Sequence, residues 1–275
     1  MKLIIFTDLD GTLLDDATYS YEKTLPALEL LKREGIPVIF CSSKTKAEIE
    51  YYRIKLSNTH PFVVENGGGI FIPRGYFSFP VSCPPHTGEE HGSYYRIATG
   101  TPYSFLREAI LELQREGYCI RGFGDMSSEE LAELTGLDID TARKAKERDF
   151  DEPFLFRGEK EQEGALLAFV AAKGLHLTRG GRFFHLTGEN DKGKAVSCLI
   201  GLYRKQGGGA PVITAALGDG PNDIPMLRQV DYPIVVRRPG GGDELRICLP
   251  HLIRAEGTGP EGWSEAVLRL LERLS

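Results

Sequence analysis

An apolar run from Leu3 to Phe6 ends in two aspartates, Asp8 and Asp10, followed at once by Gly11 and Thr12 (FTDLDGTLL). A desolvated carboxylate is costly unless a cation or hydrogen-bond donors surround it, so a buried strand that finishes this way needs a positive partner at its end. The pattern recurs downstream. Strand-like IPVIFCS and PFVVEN alternate with helices near Glu22–Glu34 and Ala47–Leu56, and each strand closes on polar residues: Ser42 and Ser43, then Glu65 and Asn66. Short apolar runs separated by amphipathic helices indicate a parallel α/β sheet, whose ligand sites lie at the C-terminal strand edge.

Between about residues 73 and 93 the texture shifts to Pro, Gly, His and Ser (PPHTGEEHGS), which marks a boundary. The next stretch reads as an α+β insert: YYRIA, a helix near Tyr103–Glu116, YCIRGF, helices near Ser128–Leu134 and Asp140–Arg148, EPFLF, a helix near Glu161–Lys173, and a hairpin in LHLTRGGRFFHLTG. Gly180 and Gly181 suit the hairpin turn because both tolerate positive φ. After Glu189 the α/β pattern returns with a helix at Lys192–Arg204, PVITAAL, GDGPND, YPIVV and a last helix near Glu261–Leu274. The expected fold is α/β: a Rossmann-like parallel sheet core of residues 1–82 and 188–275, interrupted by an α+β domain at 83–187.

Assembled in this way, the sheet brings Asp8, Asp10, Ser42 and the GDGPND loop with Asp219 and Asp223 to one edge. Four carboxylates there repel one another unless a hard cation binds, and all-oxygen ligation suits Mg²⁺. The metal is expected to bridge Asp8 and Asp219 and to take a backbone carbonyl near Asp10. A metal-screened carboxylate can attack phosphorus, so phosphoryl transfer is the chemistry that follows. Gly11 and Thr12 would let backbone N–H groups approach the phosphate oxygens. Lys192, at a helix start, adds its cation to the helix dipole and favours an anion.

Bulk properties narrow the partner. The net charge is −6, with no long basic run, which argues against nucleic acid and an anionic membrane and for a small molecule. No apolar run approaches the roughly 18 residues of a membrane span. Met1 and Lys2 lead straight into the first strand without a signal-peptide cleavage region, so a cytoplasmic location is expected. The five cysteines stand far apart with no C-x-x-C pair and read as structural.

DLDGTLL, the strand-end serine of CSSKT, Lys192 in DKGKA, and GDGPND resemble, in order and spacing, the four motifs of the haloacid dehalogenase superfamily of phosphatases. The resemblance implies that Asp8 is the nucleophile, Asp10 a general acid and then base, Ser42 a phosphate donor, Lys192 a counter-charge, Asp219 a metal ligand and Asp223 a support of the metal site. The insert after the third strand is similar to the superfamily's C2-type cap. ENGGGIFIP, GFGDMSSEELAELTGL, AKERDFDEPF and RGGRFFHL further resemble the mannosyl-3-phosphoglycerate phosphatases, which implies hydrolysis of a phosphorylated mannosyl-glycerate in making a compatible solute. Such a substrate brings about three negative charges at neutral pH. One Mg²⁺ and Lys192 cannot balance these together with the aspartates, so Arg179 and Arg182 are expected to supply cations, with Gly180 allowing close backbone approach. His185 is a candidate for a sugar hydroxyl, and Ser43, Lys44 and Asn66 lie at the sheet edge where the leaving group would rest. Three alternatives stay open: another sugar phosphate (glucosyl-3-phosphoglycerate, or a sucrose or trehalose phosphate), a phosphohexomutase, and a non-catalytic phosphosugar-binding regulator.

Overall fold

The computed structural model describes residues 2–180, 183–238, 245 and 247–274. Strand β1 (Lys2–Thr7) is buried from Leu3 onward because parallel neighbours flank it on both sides. After it come α1 (Leu25–Arg33), β2 (Val38–Cys41), α2 (Lys46–Lys55), β3 (Phe62–Val64) and β4 (Gly69–Pro73), then the short strands β5 (Ser82–Cys83), β6 (His86–Thr87), β7 (Glu89–His91) and β8 (Tyr94–Ala98). The inserted unit holds α3 (Tyr103–Arg115), β9 (Ile120–Gly122), α4 (Ser128–Thr135), α5 (Ile139–Ala145), β10 (Asp151–Phe156), α6 (Lys160–Ala172), β11 (His176–Gly180) and β12 (Phe183–Thr187). The chain then returns through α7 (Lys192–Gln206), β13 (Val212–Gly218), α8 (Ile224–Leu227), β14 (Tyr232–Arg237), β15 (Ile253–Thr258) and α9 (Gly259–Leu274).

Among the described residues the large sheet has nine strands in the order β15-β14-β13-β1-β2-β3-β4-β8-β7. The first six run parallel, and β4, β8 and β7 add an antiparallel edge, so the sheet is mixed. The strand YYRIA, expected inside the insert, is β8 of this sheet: Ile97 lies opposite Ile70, and both are fully buried in one apolar layer. Paired with β4 on one side and β7 on the other, this strand buries Ile97 in the core, and the chain leaves the large sheet only after Ala98 rather than at residue 83. The insert has its own four-stranded antiparallel sheet, β11-β12-β10-β9, with an apolar cluster formed by α3, α6 and the sheet.

Two buried contacts fix the ends of the elements that carry the site. Trp263 of α9 is fully buried, and its indole N–H donates to Thr7 Oγ1 at 2.9 Å, beside Asp8. Phe150, just before β10, packs into the large sheet's core against Gly68 and Gly100, where an added Cβ would come within 2.3 and 2.8 Å of its side chain. Gly68 and Gly69 of ENGGG therefore make room for a phenyl ring from the inserted unit.

Candidate active site

Asp8 follows the last residue of β1, and its carboxylate is nearly buried. Lys192, the first residue of α7, is wholly buried and donates through Nζ to Asp8 Oδ1 and Asp223 Oδ1, each at 2.6 Å. Asp223 spends its other oxygen on the backbone N–H groups of Asp219 (3.0 Å) and Gly220 (2.9 Å), which pins the loop after β13. Asp219 accepts from the Thr12 hydroxyl at 2.8 Å and from Arg238 Nε at 2.6 Å. Gly11 has φ +72, and a Cβ there would meet Asp219 Oδ2 at 2.9 Å, so the turn after β1 can approach this carboxylate only as glycine.

Asp8, Asp219 and Asp223 each offer an oxygen within 4.8 Å of the others. Burial pushes the Asp8 carboxyl well above its usual range; Lys192 opposes this, while Asp223 and Asp219 add to it. Asp219 is raised as well, by burial and by Asp223, against the pull of Arg238. Burial alone would lower the Lys192 ammonium, but Asp223 and Asp8 outweigh it and hold it above its ordinary value. Asp8 and Asp219 are thus oxygen donors short of positive charge, and they fit a hard divalent cation.

A model of the haloacid dehalogenase-like hydrolases matches residues 5–76. Over 272 residues, 98% of each chain, the protein is 46% identical to a glucosyl-3-phosphoglycerate/mannosyl-3-phosphoglycerate phosphatase of Methanococcoides burtonii. The chain belongs to the haloacid dehalogenase-like hydrolases. It is a phosphatase of that superfamily, and a mannosyl-3-phosphoglycerate phosphatase of Pyrococcus furiosus is 38% identical to it over 237 residues, 86% of this chain and 91% of the relative. A solved structure from Thermoplasma acidophilum matches with a TM-score of 0.67, over 98% of this chain and 99% of that one; at 16% identity this is a likeness of fold.

The phosphatase brings together most of the residues singled out in its sequence. The metal ligand expected near Asp10 is a backbone carbonyl; the Asp10 carboxylate stands outside the three-carboxylate group, and its Oδ1 lies 3.0 Å from Lys44 Nζ. The reason is local: β1 ends at Thr7, and Thr12 and Leu14 N–H both bond back to Leu9 C=O, so the turn re-aims Asp10. Lys44 is buried, 3.7 Å from Glu48 and 4.9 Å from the Tyr19 ring centroid. Burial lowers its ammonium, but Asp10 and Glu48 more than reverse that. Ser42 is buried and its hydroxyl accepts from Lys44 N–H at 3.2 Å, while the Ser43 carbonyl accepts from Arg148. Asn66, at φ +54, accepts from Asn222 Nδ2 at 3.2 Å, which joins the end of β3 to the GDGPND loop.

On the inserted sheet the outcome divides. His185 Nδ1 lies 2.8 Å from Asp151 Oδ2, so one ring nitrogen is engaged within the sheet. Arg179 stands exposed on the edge strand β11 with its guanidinium 5.3 Å from the Phe184 ring, and none of its described contacts reaches the aspartate cluster. Gly180 is the last residue of β11, opposite Phe183, and Arg182 lies outside the described residues. Reading of the sequence missed Arg238 and Arg148. Arg238 follows a strand end, just after YPIVVR, and the strand-edge rule could have found it; Arg148 sits in the charge-rich run AKERDFDE, which carries no local sign of burial.

Lys192→Met is expected to lower kcat/KM by about 10²–10³-fold, as loss of one preorganised charge-stabilising donor does. It leaves Asp8 and Asp223 without their shared cation, and breaking a buried ion pair costs about 3–5 kcal/mol. Thermal unfolding and steady-state kinetics should therefore both register the change; an unaltered melting temperature would contradict the buried pairing.

Proposed function

We propose that this phosphatase hydrolyses mannosyl-3-phosphoglycerate to mannosylglycerate, by way of an aspartyl-phosphate on Asp8 and with Mg²⁺ held by Asp8 and Asp219. The observation that carries the reaction is the buried Asp8 against Lys192, with Asp10 two residues on and turned to another side. The names of the relatives support the substrate, and the dual name of the Methanococcoides burtonii relative favours glucosyl-3-phosphoglycerate as a second one.

In this reading Asp8 attacks phosphorus, the bond to the leaving glyceryl oxygen breaks, and Asp10 gives that oxygen its proton. Asp10 then takes a proton from water, which attacks the phosphorus of the acyl phosphate and restores Asp8. Ser42 donates to a phosphate oxygen, and Lys192 offsets charge on Asp8. When bound, the metal would offset the repulsion between the negative charges of Asp8 and the phosphate and support charge in the transition state. Asp223 braces Lys192 and the Asp219 loop. The inserted unit acts as a specificity cap, with Arg179 and His185 assigned to the sugar and carboxylate and Ser43, Lys44 and Asn66 to the leaving group. The enzyme works in the cytoplasm on a small phosphorylated sugar.

The deciding experiment is phosphate release over a panel of phosphomonoesters that includes both hexosyl-phosphoglycerates, sucrose and trehalose phosphates and p-nitrophenyl phosphate. The highest kcat/KM should fall on a hexosyl-phosphoglycerate, and a sucrose or trehalose phosphate at the head of the panel would overturn the assignment. Asp10→Asn is expected to slow the glyceryl ester by roughly a hundredfold or more, and the aryl ester much less, because p-nitrophenolate leaves without a proton. Equal losses on both substrates would remove Asp10 from the acid's role.

A further inference from the structure

Arg148 connects the two sheets in a way that the reaction as described does not use. It follows α5 in the inserted unit, and its side chain is 6% exposed. Nε donates to the Ala145 carbonyl at 2.8 Å and so holds the guanidinium to its own helix. Nη1 crosses to the core and donates to the Ser43 carbonyl at 2.9 Å, while Nη2 lies 4.0 Å from Glu48 Oε2. Glu48 in turn accepts the Thr45 N–H at 2.9 Å and stands 3.7 Å from Lys44 Nζ, which pairs with Asp10. On the cap side, Arg148 Nη1 is 3.4 Å from Asp151 Oδ2, the oxygen that meets His185.

The result is a row of neighbouring ionisable side chains that starts at the partly exposed Asp10, runs through the buried Lys44, Glu48, Arg148 and Asp151, and ends at His185. Neighbouring bonds hold the same two loops: Thr45 Oγ1 donates to the Lys144 carbonyl at 2.8 Å, and the buried Glu65 carboxylate accepts the Asp149 and Phe150 N–H groups at 2.7–3.1 Å. A guanidinium suits such a junction because its planar fork holds its donors in fixed directions, whereas the donors of an ammonium rotate about a flexible stem.

We propose that Arg148 is a positioning residue for the phosphatase reaction, setting the Ser42–Thr45 loop, and through Glu48 the Lys44–Asp10 pair, according to how the inserted unit is seated. This rests on the reading of Asp10 as the acid and of the insert as a cap. Arg148 touches neither the aspartate cluster nor any reacting atom. Its effect belongs in leaving-group protonation, and alkyl esters depend on that step more than aryl esters do.

The test is a double-mutant cycle of Arg148→Met and Lys44→Met, with Arg148→Lys as the milder variant, in the full chain. kcat and KM are measured for p-nitrophenyl phosphate and for whichever alkyl phosphomonoester the wild type hydrolyses fastest, alongside the melting temperature. A wrong substrate assignment then shows in the wild type alone and leaves the cycle readable. Arg148→Met is expected to lower kcat on the alkyl ester about tenfold or more, with less than threefold on the aryl ester, and Arg148→Lys should recover only part of it. In the Lys44→Met background the same change should cost less than threefold, since the path to Asp10 is already cut. Additive losses, equal losses on both esters, or full recovery with lysine would overturn the proposal and leave Arg148 as a tie between domains. If Arg148→Met does not fold, the lysine variant decides by the same contrast between esters.

Discussion

Asp8→Asn is expected to lower kcat by about ten-thousand-fold or more, the scale seen when a nucleophile is removed from an otherwise intact site. The amide keeps the shape of the carboxylate and can still accept from Lys192 through its oxygen, so substrate binding should persist. The effect on stability has an unusual sign. Burial and the neighbouring Asp223 and Asp219 hold the Asp8 carboxyl well above its ordinary range, against Lys192, so its ionised form is disfavoured in the folded protein without metal. A neutral side chain there removes that penalty, and the chelated variant should melt at the wild-type temperature or above it. Single-turnover phosphate release and calorimetry check both halves: activity within tenfold of wild type sinks the covalent mechanism, and a large drop in melting temperature contradicts the electrostatics.

Exhaustive chelation should abolish turnover, with Mg²⁺ restoring it and Ca²⁺ failing to do so. Ca²⁺ takes longer, looser coordination, and misplacement by about 1 Å can cost on the order of a hundredfold. Asp219 gives the expectation a second readout. In the structure Arg238 Nε holds Asp219 Oδ2 at 2.6 Å, and Arg238 is about half exposed, so it can yield to a cation. Metal titrated into chelated protein should raise the melting temperature with concentration, as any ligand of the folded state does, and Asp219→Asn should flatten that rise. Full activity after chelation would refute the cluster as a metal site.

What the sequence determined by itself was whatever has a short-range signature. Apolar runs closing on Asp8, Ser42 and Asn66 show strands and their C-terminal ends because burial and strand ends are written in consecutive residues. Lys192 at a helix start and Asp219 in GDGPND were legible for the same reason, and the family motifs are equally local. The tertiary structure alone decided where Tyr94–Ala98 belongs, because YYRIA has one periodicity whichever sheet it joins, and its pairing with β4, Ile97 facing Ile70, is what holds it to the core. It also decided that Asp10 turns to Lys44, since side-chain direction past a strand end follows the turn and not the period of two. Arg148 is the strongest case: nothing in AKERDFDE distinguishes a solvated arginine from a buried one. Its burial depends on Ser43 and Glu48, about a hundred residues earlier in the chain, which reach it only when the inserted unit folds back on the core.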